Sequence, residues 1–203
     1  MAEAARLILA SGSAARRAML EAAGLTFDVL ASDVDEVSIK ALMISESDCL
    51  EAADLAVTLA VEKAMVVARA HPGAFVIGAD QVLVLGRKFF SKATTLYEAR
   101  EILDALRGRT HELVSAAAIA RSGDVLWHTH DFAEMTMRPF SDEFLGNYLQ
   151  RGGEKLLQSV GCYQLEGPGV QLFEHIDGDY FTILGMPLFP LLAKLRELDV
   201  VTA

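Results

Sequence analysis

Short apolar runs alternate with segments of helical periodicity along the whole chain, and this alternation limits the possible folds most strongly. The run Leu7–Ala10 reads as a buried strand that enters a Ser11-Gly12-Ser13 loop, and Ser13 can cap a helix over about 14–23. Two longer strand-like runs, His111–Arg121 and Val125–Met137, are joined by a short polar turn. Because strand–helix units and antiparallel strands occur together, we predict an α/β fold with a mixed, elongated central sheet, flanking helices and two lobes around a cleft.

The remaining elements are predicted from the same periodicity and from capping and turn residues. Gly86-Arg87 indicates a hairpin turn, and Ser32–Glu36 is predicted to be an acidic loop. The predicted strands cover 27–31, 75–79 with an extended continuation to 85, and 169–176. The further predicted helices cover 49–70, Thr95 to about 108, a segment from Ser141 onward, and 187–198.

Length and composition are those of one globular unit. The chain has 203 residues, of which 52% are hydrophobic and 23% are charged, so it can build a core and is too apolar for intrinsic disorder. No Pro/Gly/Ser-rich linker divides it, and we predict a single domain over 1–203 with two lobes. The two cysteines do not suffice for a disulfide framework. With no signal sequence and no apolar run of membrane-spanning length, a cytoplasmic location without membrane association is expected.

The formal charge of −10 argues against a nucleic acid polymer as partner, because the global field would repel its phosphates. A small anionic ligand is not excluded, since it needs only a local cluster of positive charge.

The segment from Ser11 to Arg17 is the first candidate site. It places two hydroxyls and two guanidiniums, those of Arg16 and Arg17, at a predicted helix N-terminus, where free N–H groups favour phosphate oxygens. Gly12 permits a tight turn and close backbone approach. The alternative is an ordinary capped helix with two surface arginines. Neither a P-loop nor a dinucleotide fingerprint is present.

Carboxylates mark two further positions. The acidic loop that ends in Glu36 has oxygen ligands suited to Mg²⁺ or Mn²⁺, although a solvated turn is the alternative. Asp80 ends the apolar strand over 75–79, where a carboxylate is costly to bury unless it is paired, bound to metal or in a cleft. Its candidate roles are general base for a water nucleophile, metal ligand, or both.

Two lysines complete the candidate set. Lys63 lies among apolar residues of the helix over 49–70, and Lys92 follows the predicted hairpin. Each alone reads as a surface group, but with Arg16 they could neutralise a triphosphate within an acidic protein.

Other polar residues give weaker evidence for a functional site. His128 and His130 would share one face of a strand, but no third ligand lies at metal spacing, so a solvent-facing strand is preferred. Cys162 is read as a buried structural thiol.

Taken in order, these motifs resemble the Maf family of nucleoside triphosphate pyrophosphatases. The resemblance spans about 7–195, and the motifs follow one another in the order expected of the family. The matching segments are Leu9-Ala10-Ser11-Gly12-Ser13 with Arg16, Val34-Asp35-Glu36, Glu62-Lys63-Ala64, Ile77-Gly78-Ala79-Asp80-Gln81-Val82, Lys92, Glu166-Gly167 and Leu184-Gly185-Met186-Pro187-Leu188.

The resemblance implies a fold related to inosine triphosphate pyrophosphatases and cleavage of a nucleoside triphosphate to the monophosphate and pyrophosphate. It implies a divalent cation, Mg²⁺ or Mn²⁺ with Co²⁺ as a further candidate, held by Glu36 and Asp80. Asp80 would also be the proton acceptor that activates water. The implied phosphate-binding residues are Ser11, Arg16, Arg17, Lys63 and Lys92; not every branch of the family carries an arginine at the position of Arg17.

Within the family, Gln81 and Glu166 resemble the branch that acts on 7-methyl-GTP, whereas the dTTP/UTP branch usually has Thr and Gln there. The Glu166 carboxylate could accept hydrogen bonds from guanine N1–H and the 2-amino group. Ala15, also a candidate substrate contact, departs from both branches, which carry a large side chain at this position. A homodimer is a further expectation. The alternative function is a nucleotide-binding regulator of cell division or shape with weak catalysis.

Overall fold

The computed structural model describes residues 6–47 and 49–202, which form one seven-stranded mixed sheet with helices on both faces. The strands are β1 Leu7–Leu9, β2 Asp28–Val29, β3 Phe75–Leu85, β4 Lys88–Phe89, β5 Thr110–Arg121, β6 Asp124–Met137 and β7 Phe173–Asp177. The α-helices are α1 Ala14–Ala22, α2 Glu36–Glu46, α3 Ala52–Ala70, α4 Leu96–Leu106, α5 Asp142–Gly152, α6 Tyr180–Ile183 and α7 Leu188–Glu197, and 3₁₀ helices cover Gly153–Gln158 and Pro168–Leu172.

The strand order β2-β1-β3-β5-β6-β7 confirms the predicted mixed α/β class. Strand β1 pairs in parallel with β2 and β3, whereas β3, β5, β6 and β7 pair antiparallel in succession. The parallel part thus comes from the strand–helix units at the start of the chain, and the antiparallel part from the long hairpin.

Strand β3 has two different neighbours along one of its edges, and this positions the site. Leu9, the last residue of β1, lies opposite Ile77, while the short strand β4 pairs antiparallel with Val84 and Leu85. Among the described residues no strand pairs with positions 78–82 on this edge. Because β1 and β4 run toward each other, the segments that follow them converge on the middle of β3, where Asp80 lies.

Helix α3 packs directly against β3 at Gly78. A Cβ atom added there would lie 2.1 Å from the carbonyl oxygen of Ala60 and 2.7 Å from the backbone nitrogen of Ala64. Only glycine therefore allows this separation between helix and strand. The close approach places Lys63, which precedes Ala64, beside the strand that carries Asp80.

Apolar side chains fill both faces of the sheet. Ile8, Val76 and Val82 pack under α3 on one face, and Leu9 and Ile77 pack with α1 and α7 on the other. A further core surrounds the distal end of β6 beneath α4 and α5. None of the described helices is both long and apolar enough to cross a lipid bilayer.

Several sequence predictions need correction. The acidic loop is confirmed over 32–35, whereas Glu36 already begins α2, a helix that the sequence did not indicate because none of its residues is buried and no apolar stripe marks it. The predicted strand over 169–176 begins only at Phe173, because Pro168 opens a 3₁₀ turn before it. The strand over 27–31 is reduced to Asp28–Val29, and α3 begins at Ala52 rather than near residue 49. The boundaries of α1, the β5–β6 hairpin and the final helix agree with prediction within about two residues.

Candidate active site

The loop after β1 buries Arg16 next to Ser11. Ser13 caps α1 by accepting a hydrogen bond from the Arg16 backbone N–H, as its sequence position predicts. The Arg16 guanidinium then turns inward, where its Nη1 donates to Ser11 Oγ at 3.2 Å and its Nε donates to the Gly185 carbonyl oxygen at 2.8 Å. The residue is only 8% exposed, so the alternative of a surface arginine is not what the structure shows.

Gly185 holds Arg16 from the far end of the chain. Its φ of +110° is strained for any side chain, and an added Cβ would lie 3.4 Å from the Arg16 Nε and Nη2 atoms. Glycine at this position therefore allows the carbonyl to face the guanidinium at close range.

Lys63 joins two carboxylates at the centre of the site. Its Nζ lies 2.5 Å from Asp80 Oδ1 and 2.7 Å from Glu36 Oε1. The Lys63 and Asp80 side chains are each 9% exposed, whereas that of Glu36 is 54% exposed. The ammonium thus compensates one buried and one accessible negative charge, the condition under which a buried carboxylate is tolerated.

Glu36 reaches Lys63 from the first turn of α2. Asp35 caps this helix, since its carboxylate accepts from the backbone N–H and the hydroxyl of Ser38 at 3.0 and 2.6 Å. These hydrogen bonds lower the pKa of Asp35. The two neighbouring acidic residues therefore differ in role: Asp35 caps the helix, and Glu36 extends into the site.

Two more lysines surround this centre. Lys92 lies on the exposed rim, where partial desolvation and the positive charges of Arg16 and Lys63 lower its pKa, while Glu36 and Asp80 act in the opposite direction. Lys40, one helical turn after Glu36, is half-buried; desolvation lowers its pKa and the charge of Asp80 raises it. Lys40 was not identified from the sequence, because no helix was predicted over the segment that presents it.

The charges of Asp80 and Glu36 also act on Arg16. Burial lowers the pKa of its guanidinium, and the negative charges of Asp80 and Glu36 oppose that shift. The site thus combines one arginine and three lysines with two carboxylates, inside a chain whose net charge is −10.

Four candidate residues lie outside this network of contacts. Arg17 is exposed and pairs with Glu21 on its own helix at 2.7 Å. Gln81 lies on the face of β3 opposite Asp80, and its Nε2 donates to Ser115 Oγ and to the carbonyl oxygens of Thr182 and Ile183. Glu166 is exposed in the turn before the 3₁₀ helix that starts at Pro168, and Ala15 is half-buried in α1. Their roles in substrate binding remain predictions.

The donor set fits a hard divalent cation that substrate helps to hold. The oxygens of Glu36 and Asp80 converge on one point, at present the Lys63 ammonium, and carboxylate oxygens are the ligands that Mg²⁺ and Mn²⁺ prefer. Within 6–47 and 49–202 no group of three or more His, Cys, Asp or Glu side chains is placed to bind a metal. Two carboxylates completed by phosphate oxygens and water would match the usual coordination of Mg²⁺.

The arrangement therefore offers a buried carboxylate as proton acceptor, with cations on several sides for an anionic ligand. Ser11 and Arg16 approach from one side of Asp80, and Lys92 with Lys40 from the other. Such a site can hold a polyphosphate next to a base.

Comparison with known proteins identifies the family of this chain. The family model described as "Maf-like protein" matches residues 6–198, and the chain belongs to this family. A "7-methyl-GTP pyrophosphatase" from Rhizobium meliloti (strain 1021) is 49% identical over 197 residues, covering 97% of this chain and 98% of that protein. A "Nucleoside triphosphate pyrophosphatase" from Granulibacter bethesdensis is likewise 49% identical over 197 residues, covering 97% and 99%.

Among solved structures, a HAM1 protein from Coxiella burnetii superposes with a TM-score of 0.44 and 16% identity, covering 67% of this chain and 74% of that one. The fold assignment rests on the sheet topology described above and not on this similarity.

Proposed function

We propose that the protein hydrolyses nucleoside triphosphates to nucleoside monophosphates and pyrophosphate. The observation that carries the proposal is the cluster in which Lys63 joins Glu36 and Asp80 beside the buried Arg16. Close relatives over nearly the whole chain are named for pyrophosphatase activity on nucleoside triphosphates, which supports a hydrolase that acts on acid anhydrides.

In this mechanism Asp80 accepts a proton from a water molecule, and the water oxygen attacks the α-phosphorus. A new bond forms between that oxygen and phosphorus, the bond from the α-phosphorus to the α,β-bridging oxygen breaks, and pyrophosphate leaves with the bond electrons. Because Asp80 is buried, few other water molecules compete with the attacking water for its carboxylate.

The cationic side chains hold the triphosphate and stabilise the charge that develops on it. Arg16 is fixed by Ser11 and Gly185 and is therefore preorganised, which avoids an ordering cost during the reaction. Lys63 and Lys92 would also contact the phosphates. A divalent cation, Mg²⁺ or Mn²⁺ with Co²⁺ as a further candidate, would be held by Glu36 and Asp80, and when bound it supplies additional neutralisation of phosphate charge.

With regard to the nucleobase, we propose that 7-methyl-GTP is the preferred substrate. The relative from Rhizobium meliloti carries that name, as does one from Brucella abortus at 48% identity over 192 residues. The exposed carboxylate of Glu166 is the proposed acceptor for the guanine edge, and half-buried Ala15 is a further proposed substrate contact.

A substrate panel with product identification tests the proposal. Purified protein is given 7-methyl-GTP, GTP, dTTP, UTP and ATP with Mg²⁺, Mn²⁺ or Co²⁺, and monophosphate, pyrophosphate and orthophosphate are quantified separately. We expect equimolar monophosphate and pyrophosphate, with the largest kcat/KM for 7-methyl-GTP. Orthophosphate with a diphosphate would contradict attack at the α-phosphorus. Nucleotide binding without any turnover would support the alternative, a nucleotide-binding regulator of cell division or shape.

A further inference from the structure

Lys40 connects helix α2 with the segment that follows β4, and both lie near Asp80. Its Nζ donates to the Phe90 carbonyl oxygen at 2.8 Å and to Ser91 Oγ at 3.0 Å, and it lies 5.9 Å from the centre of the Phe89 ring. Lys40 belongs to α2, and its partners belong to the end of β4 and the segment after it. The contact therefore crosses between parts of the chain that are fifty residues apart.

Helix α2 has few other attachments to the rest of the protein. No residue of α2 is buried, and only half-buried Ile39 and Met43 pack against the neighbouring core. Apolar burial thus contributes little to the position of α2, because that contribution scales with the area removed from water. Within the described part of the chain, the polar contacts that link α2 to other elements are those of Glu36 with Lys63 and of Lys40 with Phe90 and Ser91, and they become correspondingly important.

Each of the two connected segments carries a residue of the proposed mechanism. Glu36 lies one helical turn before Lys40 on the same face of α2, since residues four apart are neighbours on a helix. Lys92 follows Ser91 directly. Lys40 therefore joins a carboxylate of the centre to a cation of its rim, in the electric field of Asp80.

We propose that Lys40 is a positioning residue that holds the Lys92 segment against α2, so that Lys92 faces the triphosphate. The proposal rests on the proposed function. It assigns Lys40 no contact with the reacting atoms: two of the three N–H groups of its Nζ donate to the Phe90 carbonyl and the Ser91 hydroxyl. Without it, the segment over 90–92 loses its attachment to α2, and Lys92 loses its fixed direction.

The test compares Lys40→Met with Lys155→Met, which removes the same charge from an exposed position in the 3₁₀ helix over Gly153–Gln158. Steady-state kinetics use the best triphosphate from the substrate panel. We expect Lys40→Met to lower kcat/KM roughly 10-fold, mainly through KM, because a misplaced binding group weakens the complex. Lys155→Met should stay within about twofold of wild type. Lys40→Arg, which keeps charge and donors, should recover most of the loss.

The Lys92→Met variant serves as a second background, in which an effect that acts through Lys92 can be distinguished from a general folding defect. If Lys40 acts through Lys92, adding Lys40→Met to Lys92→Met should lower kcat/KM by less than about twofold, because the two effects are not additive. An equal 10-fold loss in both backgrounds would overturn the proposal, as would Lys40→Met kinetics equal to wild type.

Should Lys40→Met fail to fold, Ser91→Ala removes one of the two acceptors of Lys40. It is expected to show a smaller loss of kcat/KM with the same dependence on Lys92, and additivity of Ser91→Ala and Lys92→Met would overturn the proposal as well. Wild-type protein without turnover would contradict the proposed function itself.

Discussion

Two regions of the molecule bury ionisable side chains, and they do so in opposite ways. Around Asp80 the buried groups lie among opposite charges, because Lys63 lies between Asp80 and Glu36 and Arg16 lies in the field of both carboxylates. At the distal end of the sheet, His111, Tyr163 and Cys162 are buried without an ion-pair partner among the described residues. There, burial is the main factor that favours the neutral forms, and for Cys162 the negative charge of Glu98 acts in the same direction.

The pKa values express this difference. Burial lowers the pKa of His111 to about 4, raises that of Cys162 to about 11 and raises that of Tyr163 well above its usual value. All three groups are therefore neutral at pH 7 and serve packing and hydrogen bonding, with His111 Nε2 at 2.7 Å from the Tyr163 hydroxyl. Burial by itself therefore does not distinguish the proposed active site from the rest of the protein, whereas the convergence of opposite charges does.

The largest change in stability should follow from removing the central cation. In Lys63→Met the buried Asp80 loses its partner and the nearby Glu36 adds repulsion, so we expect the free energy of unfolding to fall by about 3 kcal/mol. Urea unfolding followed by circular dichroism measures this value.

Lys194→Met is the matched control, since it removes a lysine that pairs with the exposed Glu197 at the surface. It should change the free energy of unfolding by no more than about 0.5 kcal/mol. If both variants lose the same amount, Lys63 is not the partner that makes burial of Asp80 tolerable.

The neutral region predicts a pH dependence of nearly the same size. The unfolded chain binds a proton at His111 near pH 6.5, whereas the folded protein binds it only near pH 4. Stability contributed by neutral His111 is therefore complete above about pH 6.5 and is lost as the pH falls toward 4, by about 3 kcal/mol in total.

His111→Gln isolates this contribution, because the amide can still pair with Tyr163 but does not titrate. The difference in unfolding free energy between wild type and this variant should shrink or reverse between pH 6.5 and 4. A difference that stays constant over this range would show that the pKa of His111 is not lowered.

Much of this architecture could be predicted because local signals and burial agree. The strand–loop–helix from Leu7 to Ala22 and the hairpin of β5 and β6 have periodicity, turn residues and caps that point to one structure. The expected membership of the Maf family and the mixed α/β class are both confirmed.

The rest was out of reach for physical reasons. Helix α2 exposes Val37, Leu42 and Ile44 and buries none of its residues, so it has no apolar stripe, and the contacts of Lys40 with Phe90 and Ser91 could not be predicted. The contact from Arg16 to the Gly185 carbonyl spans 169 positions and depends on tertiary structure. For Gln81 a signal was present: alternation along a strand places it on the face opposite Asp80.

The central claim is that the charged cluster, and not the neutral one, carries the chemistry. Its most direct test is the kcat/KM for triphosphate cleavage of Asp80→Asn beside His111→Gln and the exposed hairpin variant Asp124→Asn, all at pH 7.5. We predict a loss of at least about 100-fold for Asp80→Asn, the usual scale for removing a general base, and less than about threefold for the other two. Turnover by Asp80→Asn equal to that of wild type would contradict the account.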